Sequence, residues 1–252
     1  MHPETYLTVS YLAFNASFPA FRDPRVRKAL NMAVDREFIA EKLLRAGQKP
    51  AYTFVPPGVA NYAPATPPEW TSWPLERRQA EARRLLTEAG YGPGGKTLTF
   101  EIKHRGSTEI PLQMAAIQAD WKAIGVDAKL VQNETQIAYA AYRARDFDVA
   151  DAGWVADYND PMSFLYLMKS DTGPQNYGDY NNPAYDELLN KADREPDIDK
   201  RAAYLRQAEA ILLADDNVVP TTFGVSRNLV NPKISGWVDN IIDRHPTRYL
   251  CV

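Results

Sequence analysis

The chain has 252 residues, 45% of them hydrophobic, so it is long enough to bury a sizeable core in one large domain or two small ones. Its 29 basic and 32 acidic residues are well mixed and leave a formal net charge of -3, a balance that does not suggest a nucleic-acid groove. No apolar run approaches the roughly 20 residues of a membrane-spanning helix, and residues 1–4 lack the basic and apolar parts of a secretory signal. The lone Cys251 excludes an intrachain disulfide and a cysteine zinc cluster.

The first predicted elements are a strand and two helices. Residues 6–15 alternate and are rich in β-forming types, which predicts a strand. Asp23 followed by Pro24 is typical of a helix start, with the aspartate as N-cap and the proline in the first helical position. A second helix is predicted from Asp35, and Gly47 is expected to end it.

Residues 50–74 are rich in proline and aromatic residues, so we expect neither a helix nor a central strand there. A loop of this length is usually functional or tightly packed. Two interpretations of this loop remain: it is a surface segment held down by its own aromatic side chains, or it contacts a ligand directly. Residues 75–89 have the pattern of an amphipathic helix ended by a glycine. The glycine-rich residues 90–95 follow a helix and precede a strand, the reverse of a phosphate loop, and a turn is predicted.

A regular alternation of strands and helices follows. Strands are predicted at 97–103, 126–131 and 147–152, and helices at 110–124 and 134–145. This alternation favours an α/β fold with a largely parallel sheet and helices on its faces. The remaining predicted elements are a helical turn at 162–168, a helix from Asn182-Pro183, a helix at 197–214, a strand at 218–225 and a short final strand at 247–252.

The strand at 147–152 leads into a polar stretch, GWVADYNDP, at 153–161. Open α/β sheets bind their ligands beyond the carboxyl ends of the strands, so the sequence predicts a site in this stretch. The alternative is a polar turn with one aromatic side chain packed beneath it. Residue types alone do not separate these two interpretations.

Patterns of catalytic and metal-binding residues are missing. The three histidines lie far apart and lack the spacing of a helical zinc pair. Residues 224–228 lack the second glycine of a nucleophile elbow. Asp157 and Asn159 resemble an EF-hand opening, but Met162 stands where glycine is required. Asp157 and Asp160 could form an acid–base pair, yet no further reactive group accompanies them. We therefore expect no enzymatic activity, no metal and no cofactor.

Two segments resemble a known family. The residues WVADYNDP at 154–161, followed by Ser163, Phe164 and Leu165, resemble the peptide-contacting segment of bacterial oligopeptide-binding proteins, the peptide/nickel family of solute receptors of ABC importers. Residues 21–36, FRDPRVRKALNMAVDR, resemble that family's helix pair. The resemblance covers nearly all of this chain but only the second part of a family member.

This resemblance implies a class II periplasmic-binding-protein-like lobe with a mostly parallel sheet flanked by helices. Residues 1–225 are then the C-terminal α/β lobe of a two-lobed receptor. Residues 226–252 are a crossover tail that completes a missing N-terminal lobe. The strands at 6–15 and in the tail are expected to lack partners, which invites self-association.

The resemblance also implies the ligand site, which is made of Gly153, Trp154, Val155, Ala156, Asp157, Tyr158 and Asn159. In the family, the backbone at the first three positions pairs with an extended peptide as an added strand. The tryptophan forms the wall of a side-chain pocket, and the first aspartate holds the ligand's α-ammonium. Oligopeptide-binding members often have a cation near the peptide's carboxyl end, where this chain has Asp151, so the preferred peptide length stays open.

The implied partners are a peptide ligand, an ABC permease in the inner membrane and the missing first lobe, without nucleic acid. The implied location is periplasmic, or exported and cell-surface associated. Dipeptides, murein peptides or another small solute are the alternative ligands. From a different class, the alternative is a free-standing interaction or enzyme domain that uses the same lobe.

Overall fold

The computed structural model describes residues 2–251 and arranges them around one six-stranded sheet with helices on both faces. The strands are β1 (His2–Phe14), β2 (Lys49–Pro50), β3 (Leu98–Arg105), β4 (Val126–Asn133), β5 (Val149–Val155) and β6 (Val218–Asn228). The α-helices are α1 (Pro24–Ala33), α2 (Leu75–Glu88), α3 (Ile110–Ala123), α4 (Thr135–Arg143), α5 (Met162–Leu165), α6 (Pro183–Arg194) and α7 (Ile198–Asp215). The predicted α/β class is confirmed.

The strand order is β2-β6-β1-β5-β3-β4, and the sheet is mixed. β3 lies parallel to β4 and β5, whereas β1 is antiparallel to β5 and β6, and β2 is antiparallel to β6. The predicted common direction holds for β3, β4, β5 and β6, and β1 and β2 run the opposite way, which makes the sheet mixed. Helical crossovers give β3, β4 and β5 one direction, and β6, which follows α6 and α7, runs the same way as β5. β1 lies between β5 and β6 and is antiparallel to both.

β1 lies inside the sheet and has partners on both sides. It pairs with β5 from Thr8 to Phe14 and with β6 over most of its length. The expectation that this strand leaves an unpaired edge for self-association is wrong. Among residues 2–251, the outer strands of the sheet are β2, with only two residues, and β4, where exposed Asp127 and Lys129 disfavour edge pairing.

The first two helices begin at aspartates, as predicted. Asp23 Oδ1 accepts a first-turn backbone N–H of α1 at 2.9 Å. Asp35 Oδ1 accepts another N–H at 3.0 Å, but the segment that follows, Phe38–Leu44, is π-helical rather than α-helical. Arg45 ends this segment in the left-handed conformation with φ 54°, so the predicted end at Gly47 is two residues late.

Both faces of the sheet are buried, and alternate residues of β1 point to opposite cores. Leu12 lies in a core formed with α1, α2 and α3, and Val9 and Tyr11 lie in a core formed with α5, α6 and α7. Trp121 of α3 is fully buried in the first core, and its indole N–H donates to the carbonyl of Leu30 at 2.9 Å. Burial on both faces is typical of α/β sheets.

The proline-rich loop after β2 is held down by one buried carboxylate on α7. Glu209 accepts hydrogen bonds from the N–H groups of Phe54, Val55 and Ala65 and from the hydroxyl of Tyr62, at 2.7 to 2.9 Å. Burial raises the pKa of Glu209, and the four hydrogen bonds oppose that shift. The loop is therefore packed by a polar anchor that its own composition did not reveal.

The described residues after β6 form no α-helix and no regular strand. The predicted strand at 247–252 is wrong, because Thr247–Tyr249 form a 3-10 turn and Cys251 makes only one isolated bridge, to Ser235. A strand needs a neighbour along several residues, and this segment has none. Val252 lies outside the described residues.

The tail nevertheless returns to the body of the molecule. The amide of Asn228 donates to the Asp243 carboxylate at 2.7 Å, and Ile241 packs against the core of α5, α6 and α7. β6 continues to Asn228, past the predicted boundary at 225. The division into a lobe (1–225) and a crossover tail (226–252) stays a prediction.

Candidate ligand-binding site

The last residues of β5 have a strand partner on one side only. β1 accompanies β5 to Val155, and the N–H of Ala156 then donates to the carbonyl of Leu7 at 2.8 Å. β3 is paired with β5 no further than Ala150. Because successive residues of a strand direct their N–H and C=O groups to opposite sides, those of Gly153 and Val155 point away from β1. The strand edge at these two residues is open on the side that β3 has left.

Two aspartates follow this edge, and their surroundings differ. The carboxylate of Asp157 is exposed and has no hydrogen bond or ion pair within the described part of the chain, while its backbone N–H donates to the hydroxyl of Ser163 at 3.1 Å. Asp160 accepts two hydrogen bonds from Arg201, at 2.7 and 2.9 Å, and one from the N–H of Met162 at 2.8 Å. Asp160 is thus held by the fold, whereas the described residues leave the Asp157 carboxylate without a partner.

The other polar side chains of the segment lie at different depths. The indole N–H of Trp154 is buried and has no hydrogen-bond partner in residues 2–251. Tyr158 is 55% exposed, and burial of the rest of its side chain, followed by the charge of Asp160, raises its pKa. Asn159 accepts the N–H of Ala60 at 2.9 Å and so joins the segment to the proline-rich loop.

A cavity of about 320 Å³ opens beside the unpaired carboxylate. Its lining includes Ala156, Asp157, Tyr158 and Asn159 from the segment after β5, and Ile242 and Arg244 from the tail. The predicted residues Ala156 to Asn159 therefore share one cavity. Gly153, Trp154 and Val155 lie along β5 and lead to it.

The open edge of β5 ends at an ion pair between the half-buried Arg105 and the buried Asp151. The guanidinium of Arg105, the last residue of β3, holds the Asp151 carboxylate through two hydrogen bonds, at 2.8 and 3.1 Å, and donates to the hydroxyl of Tyr139 at 2.7 Å. A Cβ atom on Gly153 would lie 3.7 Å from Arg105 Nη2. Burial opposes the charge of Arg105, but the hydrogen bonds and charge of Asp151 outweigh it, and the pKa of Arg105 is raised. At the position where oligopeptide-binding family members often have a cation, this chain therefore has an ion pair of Asp151 with Arg105.

Sequence reasoning did not identify Arg105, Ile242 or Arg244 as part of this region. Arg105 is the last residue of a parallel strand, so the rule that ligands bind beyond strand ends could have identified it. The two tail residues have no local signal, because only the return of the tail brings them to the cavity.

No helix in residues 2–251 is both long and apolar enough to traverse a lipid bilayer. Over the same residues, the histidine, cysteine and acidic side chains form no group of three or more that could hold a metal ion.

In residues 2–251, an open strand edge leads to a carboxylate without a partner, and comparison with known proteins places the chain in a family. Residues 2–176 match the model described as bacterial extracellular solute-binding proteins, family 5 Middle. The periplasmic oligopeptide-binding protein OppA of Escherichia coli is 37% identical over 238 residues, which are 94% of this chain and 43% of OppA. The probable deoxycholate-binding periplasmic protein YgiS of Escherichia coli is 35% identical over 232 residues, which are 92% of this chain and 43% of YgiS.

Solved structures agree with this placement. The Escherichia coli murein tripeptide binding protein MppA matches with a TM-score of 0.88 at 34% identity, covering 99% of this chain and 49% of that one. The chain belongs to the bacterial extracellular solute-binding proteins of family 5. The expected likeness to a periplasmic-binding-protein lobe is confirmed. The chain spans less than half the length of OppA and YgiS.

Proposed function

We propose that this chain is the peptide-contacting lobe of the substrate-binding component of an ABC importer. An extended oligopeptide adds to the open edge of β5 and pairs with the backbone groups of Gly153 and Val155. Its α-ammonium binds the Asp157 carboxylate. The observation that carries the proposal is this unpartnered carboxylate at the end of an open strand edge.

The chemistry of the two contacts explains how one lobe accepts many sequences. Backbone hydrogen bonds do not depend on the ligand's side chains, and the α-ammonium is the one cation that every free peptide carries. The ion pair sets the register, while the strand pairing contributes affinity. Trp154 adds a pocket wall. Tyr158 and Asn159 line the same cavity as Asp157.

The proposal extends to the whole receptor. A first lobe covers the ligand from the other side, the tail from residue 226 crosses to that lobe, and closure traps the ligand. The receptor acts in the periplasm, or outside the cell at its surface, and delivers ligand to an inner-membrane ABC permease without catalysing a reaction. The periplasmic location stated in the name of OppA supports this assignment.

Calorimetric titration of the 252-residue chain with a mixed pool of tri- to pentapeptides tests the proposal. Half of an enclosing site should bind peptides with dissociation constants of roughly millimolar order, about -4 kcal/mol. Micromolar binding by the monomeric chain would show that no second lobe is needed.

Dipeptides, murein peptides and deoxycholate serve as comparison ligands, because relatives of similar identity carry murein peptide or deoxycholate in their names. Binding of deoxycholate without binding of any peptide would reject the peptide assignment while leaving a receptor function intact.

A further inference from the structure

The open edge of β5 is short, and its inner end is filled. Arg105 extends from the end of β3 into the gap between β3 and β5, and its Nη2 lies beside Gly153. A strand added to this edge can therefore pair at Val155 and Gly153 but meets the guanidinium before it reaches Asp151. The ligand must end or change direction at that point.

A polar cavity of about 450 Å³ lies at this point, between β1, β5, β6 and the start of α3. Its charged lining residues are Arg105, Asp151, Glu109 and Arg227. Arg105 is paired with Asp151, and Arg227 lies 3.9 Å from Glu109. The two positive and two negative groups balance, and serine and threonine hydroxyls supply further hydrogen-bonding groups.

A free carboxylate gains little in such a cavity. If it approaches Arg105, it also approaches Asp151, whose two oxygens already bind the same guanidinium, so attraction and repulsion largely offset each other. Among the described residues, Asp151 and Tyr139 accept hydrogen bonds from Nε, Nη1 and Nη2 of Arg105. A guanidinium has five N–H donors, so these bonds do not use all of them. The donors that are left suit neutral acceptors such as amide carbonyls.

We propose that the Arg105–Asp151 pair stops strand pairing after Gly153 and directs the far end of a bound peptide into this neutral polar cavity, which accepts an amide or a continuing chain as readily as a free carboxylate. This inference rests on the proposed function and narrows its substrate class. The receptor takes peptides irrespective of a free C-terminus.

The test is a titration of the ¹⁵N-labelled 252-residue chain, followed by NMR at neutral pH and moderate salt, with tri-, tetra- and penta-alanine. Each peptide is used as the free acid and as the C-terminal amide. We expect the two dissociation constants to agree within about threefold at every length. A free acid that binds at least about tenfold more tightly than its amide at any length, a difference of about 1.4 kcal/mol, would overturn the inference but leave the peptide function standing. If no acid or amide binds, the proposed function fails and this inference fails with it.

Asp151→Asn tests the balance of charge directly, because it leaves Arg105 without a counter-ion. In this variant, the free acid should become at least about tenfold tighter than the amide. Asp146→Asn is the matched control, since it removes the partner of Lys103 before the start of β5 and should leave the acid-to-amide ratio unchanged. A folded Asp151→Asn variant, judged by circular dichroism, that still binds acid and amide equally would refute the proposed role of the pair. If that variant does not fold, the acid and amide comparison on the unmodified chain decides.

Discussion

Asp157→Asn changes one exposed carboxylate whose oxygens have no partner within residues 2–251, so the substitution should leave the fold intact. In the 252-residue chain, the ammonium–carboxylate pair is open to water, and an exposed pair contributes about 0.2–1 kcal/mol. Binding of a free-amine peptide should therefore weaken by about 1.4-fold to fivefold. In a receptor whose second lobe removes water from the pair, the loss rises to about 2–5 kcal/mol, or roughly 30-fold and more.

NMR titrations with tetra-alanine and N-acetyl-tetra-alanine measure this effect. The acetylated peptide lacks the cation, so it should bind more weakly to the unmodified chain and lose little affinity in the variant. Asp160→Asn is the matched control, because Asp160 is held by Arg201 and accepts the N–H of Met162, the first residue of α5. We expect Asp160→Asn to lower the melting temperature and to leave the ratio between free and acetylated peptide unchanged.

The result that refutes this reasoning is an equal loss for the free and the acetylated peptide in Asp157→Asn. The carboxylate would then support the local fold rather than the ligand. A larger change in that ratio for Asp160→Asn than for Asp157→Asn would transfer the ammonium contact to Asp160 and contradict the assignment made from their hydrogen bonds.

Three further predictions concern the scaffold. Glu209→Gln replaces one acceptor oxygen by an NH₂ group, which then faces either the N–H groups of Phe54 and Val55 or the Ala65 N–H and the Tyr62 hydroxyl, and it should cost about 1–3 kcal/mol in urea unfolding. Amide exchange should become faster at Ala65 or at Phe54 and Val55, and unchanged exchange at all three would contradict the anchor. Burial raises the pKa of Asp216 to about 6, so its contribution to the free energy of unfolding is present below about pH 4 and is lost as the pH rises through 6. The difference in unfolding free energy between the unmodified chain and Asp216→Asn should accordingly fall by about 1–3 kcal/mol from pH 4 to pH 7, and parallel pH profiles would refute this. Most amides of residues 229–251 should exchange faster than those of β6, and uniform strong protection in a monomer would contradict the crossover assignment.

The sequence by itself determined most of the local structure, because the signals involved act over a few residues. Helix starts at Asp23 and Asn182 follow from side chains that accept N–H groups two or three residues ahead. The periodicities of strands and helices likewise need no distant partner, and they identified the α/β class and the strand that leads to the site. The motif at 154–161 identified the family.

Tertiary structure alone decided the strand directions of the sheet and the partners of the charged side chains around the candidate site. β1 lies antiparallel between β5 and β6, whose paired residues are more than a hundred positions away, and no local pattern encodes that placement. Asp157 and Asp160 look alike in the sequence; they differ because Arg201, 41 residues further on, reaches only the second. The ion pair of Arg105 and Asp151 also depends on tertiary structure, because its two residues lie on different strands, β3 and β5. Burial and ion pairing depend on which distant groups the fold brings together, so they separate residues that local sequence treats as equal.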